Sequence, residues 1–213
     1  MAPSIRSLLA LGLVFAIPIS SASAQPARTL PAVGVVETLR LPSSVAWRLD
    51  TRLGPAGAPT MEEYLPPGQT NKAWMQMLTI QYLPLATAPG EVVQNVVDSL
   101  RAICARVATL ASNQGTQSNP AAAKDGLPDP YRVFDVMLHC DSPDMSKVRG
   151  GTTSLRKHEV IWFKGMLGIA GNYLVQRAWH GDKIDPASPL ASAAEKQAWA
   201  TWIAAVGLDL RKR

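Results

Sequence analysis

The chain has 213 residues, 47% of them hydrophobic, and carries 21 Lys+Arg against 16 Asp+Glu for a net charge of +5. That length and apolar content suffice to bury a core without extra staples. The basic excess is thin, with its densest run the terminal "RKR", and no interleaved basic and aromatic stripe marks a nucleic-acid surface, so nucleic acid is excluded as the expected partner.

The N-terminus reads "MAPSIRSLLALGLVFAIPISSASAQ": one basic residue, Arg6, an apolar run from Leu8 to Ile19, then small residues ending Ala22-Ser23-Ala24. This is the pattern of a secretory signal peptide over residues 1–24 with cleavage near Ala24-Gln25, and its apolar run is too short for a membrane anchor. No cysteine stands at the junction to take a lipid, and no later run has membrane-spanning length. The expected location is a bacterial periplasm or the medium, with no integral membrane span after cleavage.

Residues 25–33 read as a loose leader, and 34–213 as one domain. "GVVETLRL" and "SVAWRLD", separated by Pro42-Ser43, suit two strands of a hairpin. Residues 51–72, dense in Gly, Pro and Thr, read as loop, and "AWMQMLTIQYL" as a strand with neither face plainly solvated, hence central in a covered sheet. After Pro89-Gly90, the stretch 91–111 spaces Val93, Val97, Leu100, Cys104, Val107 and Ala111 at steps of three and four, which predicts one amphipathic helix. The polar, Gly- and Pro-rich stretch 112–130 predicts a long surface loop.

"YRVFDVMLHC" alternates strictly: Phe134, Val136, Leu138 and Cys140 share one face, and Val133, Asp135, Met137 and His139 the other. "KHEVIWFKGM" and "NYLVQRAWHG" predict a hairpin joined by "LGIAG", whose glycines can supply positive φ. The segment from Ser188 predicts a final helix running to "RKR", capped at Ser188-Pro189 or Ser192, with Ala198, Trp199, Trp202, Ile203, Val206 and Leu210 inward. The sum is α+β: an antiparallel sheet of about six strands in the order βββ-α-βββ-α, with two helices packed on it.

Cys104 and Cys140 are the only cysteines. Each falls on the apolar side of its element, so both point into the helix–sheet interface, and an oxidising compartment would join them. Closing that loop stabilises a fold by roughly 3 to 4 kcal/mol in the chain-entropy picture. A catalytic thiol would need an exposed electropositive setting and a base, and neighbouring His139 points away from Cys140. A metal pair would need two further ligands, and the three histidines lack a metal spacing, so no metal is expected.

No G-x-S-x-G elbow or helical zinc motif occurs, and "VRGGTTSL" lacks the order of a nucleotide loop. The polar groups able to converge on one sheet face are Asp135, His139, His158 and His180, the constellation on which a hydrolase-like, small-ligand enzyme would rest. The six tryptophans read as core or rim packing, with an aromatic groove for a peptide or glycan as the alternative.

The element order together with the signal peptide resembles the PsbP-like α/β/α sandwich, the fold of several secreted accessory proteins including the periplasmic DcrB group. "EYLPPGQTNKAWMQMLTIQYL" and "NYLVQRAWHG" are also similar to stretches of secreted proteobacterial proteins. The resemblance implies a binding or assembly role, and it assigns no functional residue. The resulting expectation is an accessory or binding protein of the envelope, without a cofactor, that takes an envelope protein as partner. An envelope binder that attaches its basic C-terminus to anionic lipid is a further reading.

Overall fold

A computed structural model of the protein describes residues 27–30, 34–43, 46–55, 59–71, 73–129, 131–141, 158–181 and 193–212. The expected signal peptide, the "VRGGTTSL" segment and the expected caps at Ser188-Pro189 and Ser192 lie outside the described residues. The described elements are β1 (Ala27–Leu30), β2 (Val35–Arg40), β3 (Arg48–Leu53), β4 (Met61–Leu65), β5 (Gln76–Leu83), α1 (Pro89–Ile103), β6 (Arg106–Gln117), α2 (Pro120–Lys124), β7 (Tyr131–Asp141), β8 (His158–Leu167), β9 (Asn172–Gly181), α3 (Ala193–Ala205) and β10 (Gly207–Lys212).

The architecture is α+β, as the sequence predicts, but richer in strands. Seven antiparallel strands form the main sheet in the order β3-β4-β5-β9-β8-β7-β6, and β1-β2-β10 form a second, smaller one. β5 lies between β4 and β9, and Leu78 to Leu83 are all buried, in keeping with a central covered strand.

Alternation divides the main sheet into two faces. On one, Leu138, Cys140, Ile161, Phe163, Leu174 and Ala178 pack against Val93, Leu100 and Ile103 of α1. On the other, Met137, Val160, Trp162, Met166, Tyr173 and Val175 pack with Trp199, Trp202 and Ile203 of α3. Helices therefore cover both sides of the sheet. A disulfide joins Cys104, the residue that caps α1, to fully buried Cys140 on β7, with the two Cα atoms 5.5 Å apart.

Several expectations about local structure are corrected. The helix read as 91–111 ends at Ile103, and β6 takes over at Arg106. The apolar spacing of Val107 and Ala111 fits a helix, but a ladder from Arg106–Asp141 to Gln117–Tyr131 along β7 decides for a strand in which β-branched Val107 and Thr109 are at home. The loop read as 112–130 accordingly holds the second half of β6, and also α2, whose cap Asn119 accepts from the N–H groups of Ala121 and Ala122.

The loop 51–72 contains β4, "MEEYL", which is buried throughout. "GVVETLRL" and "SVAWRLD" do not pair, since β2 joins β1 and β10 while β3 joins β4. That places Ala27–Leu30 of the expected leader in a strand. Finally, the last helix stops at Ala205 and the chain continues as β10, so Val206 and Leu210 are buried beyond the helix rather than on it, and Ala198 is exposed. The β8–β9 connection needs its glycine for a different reason from the one expected: a Cβ on Gly168 would lie 2.5 Å from Glu37 Oε1.

Candidate functional site

All three histidines of the chain sit at one end of the main sheet, in three consecutive rows of the ladder. His158 is paired with Asp141 on one side and Gly181 on the other, His139 with Val160, and His180 with Glu159. Because strand side chains alternate, this register divides them. His139 and His158 share the α3 side, and His180 lies on the α1 side.

His139 Nε2 is 3.3 Å from His158 Nδ1, and that same Nδ1 is 3.3 Å from Asp141 Oδ1. A proton on His158 Nδ1 faces both acceptors, so the carboxylate fixes the tautomer and leaves His139 Nε2 as a lone-pair acceptor. Burial, then the His158 ring, holds the His139 pKa below the ordinary imidazole value, which favours the neutral ring. Across the sheet His180 Nε2 meets Glu159 Oε2 at 3.2 Å, its ring stacks on Trp74 at 3.6 Å between centroids, and its backbone N–H donates to the Met75 carbonyl.

Asp135 does not join them. It stands four residues from His139, about 13 Å along an extended strand, and its Oδ1 accepts from Trp162 Nε1 at 3.1 Å and Asn113 Nδ2 at 3.2 Å. Of the four residues singled out by the sequence, the structure thus brings together His139 and His158, adds Asp141 to them, and holds Asp135 and His180 elsewhere. Asp141 escaped notice because it begins what reads as a loop; its position one step past Cys140 in the same alternation, beside His139, was the available signal.

Ionic groups that the sequence reading passed over line the α3 side. Lys164 Nζ donates to the carbonyls of Ile203 (3.0 Å), Ala204 (3.3 Å) and Val206 (2.7 Å), satisfying the C-terminal end of α3 where the orphan carbonyls and the negative end of the helix dipole lie. Burial lowers its pKa to about 8. The Arg177 guanidinium lies 4.4 Å from the centroid of Trp199, 5.1 Å from Trp202 and 5.8 Å from Trp47, and donates to Gln76 Oε1 at 3.0 Å. Burial brings it down to about 10.

Glu62, fully buried, accepts from Tyr64 and Tyr82 on one oxygen and from Arg52 on the other. Burial and this carboxylate push both phenols up, so they remain donors. Glu37, equally buried, takes the backbone N–H groups of Ile169 and Ala170 and the Tyr173 hydroxyl, tying the small sheet to the β8–β9 turn. Parity is the signal that exposes both cations. Lys164 falls in step with Val160, Trp162 and Met166, and Arg177 with Tyr173, Val175 and Trp179, each a charge on an otherwise apolar inner face.

A cavity of about 220 Å³ lies at the other end of the molecule, where the small sheet meets the β8–β9 turn, lined among others by Tyr131, Leu167, Ile169, Leu208 and Leu210. Among the described residues no group of three His, Cys, Asp or Glu side chains is arranged to hold a metal ion, and no helix is long and apolar enough to cross a membrane.

No protein-family model matches the sequence, and no curated protein matches it. Among solved structures it is similar to the Saccharomyces cerevisiae Ran-binding protein Mog1p, at 12% identity and a TM-score of 0.37, over 83% of this chain and 82% of that one. A likeness of that size carries no argument about function.

Proposed function

We propose that this chain is an exported accessory protein of the bacterial envelope, which binds a protein partner and performs no chemistry of its own. One observation carries the reading: the polar groups that would have to form an active site are distributed over two faces and separate positions, each engaged with a structural partner. His180 is stacked on Trp74 across the sheet from His139, and Asp135 is held by Trp162 and Asn113. Export accords with the N-terminal signal pattern and with a buried Cys104–Cys140 bridge, since such bridges persist in oxidising compartments. The PsbP-like resemblance belongs to the same proposal.

The contact of His139, His158 and Asp141 favours the alternative, a hydrolase-like activity with His139 as base. Two measurements on mature protein 25–213 separate the readings. The binding reading expects a discrete envelope protein to be captured equally by the wild type and by His139→Ala, with no turnover of chromogenic ester, phosphate or glycoside substrates. Turnover by the wild type that His139→Ala abolishes overturns it in favour of the enzyme.

A further inference from the structure

Sheet edges offer unpaired N–H and C=O groups to other chains, and proteins ordinarily blunt them with charge, shortness, bulges or a cover. Three of the four edge strands among the described residues are blunted. β1 has four residues. β10 is covered: Leu208 N donates to the Tyr131 hydroxyl at 2.9 Å, Leu208 O accepts from Asn119 Nδ2 at 3.0 Å, and Lys212 N donates to Asp125 Oδ2. β3 is short, shifts register between Leu49 and Thr51, and carries Arg48, Asp50 and Arg52.

β6 is the exception. It runs for 12 residues, the longest strand among the described residues, and from Val107 to Gln117 it contains no charge and no proline. Its register shift lies at Leu110, which leaves Ala111–Gln117 as a regular stretch of "ASNQGTQ" with Ser112 to Thr116 all exposed. Among the described residues, no backbone hydrogen bond reaches Ala111–Gln117 from outside its ladder with β7. Gly115 faces open space, with nothing within 4 Å of where a Cβ would stand.

We propose that the β6 edge is the docking strand for an extended segment of another protein, added as an eighth strand and flanked by acidic residues. This rests on the binding reading above and supplies its surface. The acidic flanks follow from charge. Arg106 opens β6, and Arg132 stands on β7 opposite Thr116; both are exposed, and neither makes an ion pair among the described residues. A second copy of this chain fits less well, because pairing β6 with β6 would bring together two chains of net charge +5. Main-chain pairing gives such a complex its affinity, and alternate side chains give its specificity.

The probe is a nine-residue peptide with a Thr-Val-Thr-Val-Thr core between paired glutamates, about 30 Å long when extended and so able to reach both arginines. It should slow amide hydrogen exchange in residues 111–117 of the mature protein. Gln114→Glu should weaken its binding at least tenfold with an unchanged thermal midpoint, and Thr116→Glu serves the same purpose should Gln114→Glu fold poorly. Arg106→Ser with Arg132→Ser should weaken binding severalfold and flatten its salt dependence, and replacing the glutamates by lysines should abolish it. Absence of protection at 111–117 overturns the proposal. So does protection without peptide that grows with protein concentration and disappears in Gln114→Glu, which would make a second copy the occupant. Capture of an envelope protein that survives Gln114→Glu refutes this edge and leaves the binding reading standing, whereas turnover lost in His139→Ala refutes that reading and leaves the edge intact.

Discussion

The two faces of the main sheet solve one problem with different chemistry. Beneath α1, β7, β8 and β9 present Leu138, Ile161, Phe163, Leu174 and Ala178, and the helix is held by apolar burial and a covalent bond from its cap to β7. Beneath α3 the same strands present Trp162, Tyr173 and Val175 together with His139, Lys164 and Arg177, and the helix is held at its C-terminal end by an ammonium group. The attachment of α1 needs no protonation state, and that of α3 depends on the charge of Lys164. The hold on α1 should therefore answer to reductant, and the hold on α3 to charge.

Breaking the bridge gives the largest separation of the two. Cys104→Ala with Cys140→Ala should cost about 3 to 4 kcal/mol in urea unfolding, and reductant should lower the wild type to the same level while leaving the variant unmoved. Lys164→Met comes next. It leaves the buried Val206 carbonyl without its donor, while Ile203 O keeps the Val206 N–H and Ala204 O keeps Gln117 Nε2, at a cost of roughly 1 to 3 kcal/mol, and the loss should be identical with and without reductant. A reductant-dependent loss in Lys164→Met would show that the two faces are coupled and sink the comparison.

What the sequence disclosed follows the same division. The pairing of Cys104 with Cys140 was legible because two periodicities, one helical and one alternating, each turned a cysteine inward and the composition offered no other partner. The extent of α1 was not legible. From Arg106 onward the apolar positions satisfy both periods, and only the ladder to β7 decides between them. β4 was hidden because "MEEYL" carries two glutamates inside a Gly- and Pro-rich stretch, and Glu62 becomes buriable only once Arg52, Tyr64 and Tyr82 converge on it from three strands. The candidate site was half legible: the local alternation placed His139, but the face of His180 depends on the register of β9 against β8, which no local pattern encodes.

Titration sharpens the comparison at smaller amplitude, and its two arms have opposite signs. On the α1 side of β4, burial raises the Glu63 carboxyl to about 7, against an ordinary value of 4.5. Between those values the folded chain holds a proton that the unfolded chain has released, so the Glu63 contribution to stability falls as pH rises through that window. Glu63→Gln should remove a loss on the order of 3 kcal/mol between pH 4.5 and 7, read as a flatter thermal midpoint against pH.

His139, on the α3 side, runs the other way. Its pKa is lowered by burial and by His158, opposed by Asp141 and aided by Arg106, so below the ordinary imidazole value the unfolded chain binds the proton first. Stability from this group is present above that value and is lost as pH falls through it. His139→Gln should then blunt the acid limb of the same midpoint curve that Glu63→Gln blunts on its neutral limb, and the double variant should blunt both additively, since the two side chains lie on opposite faces of the sheet. A Glu63→Gln background that erased the effect of His139→Gln would mean that a single titration is shared through the sheet, and that the two faces do not answer to pH independently.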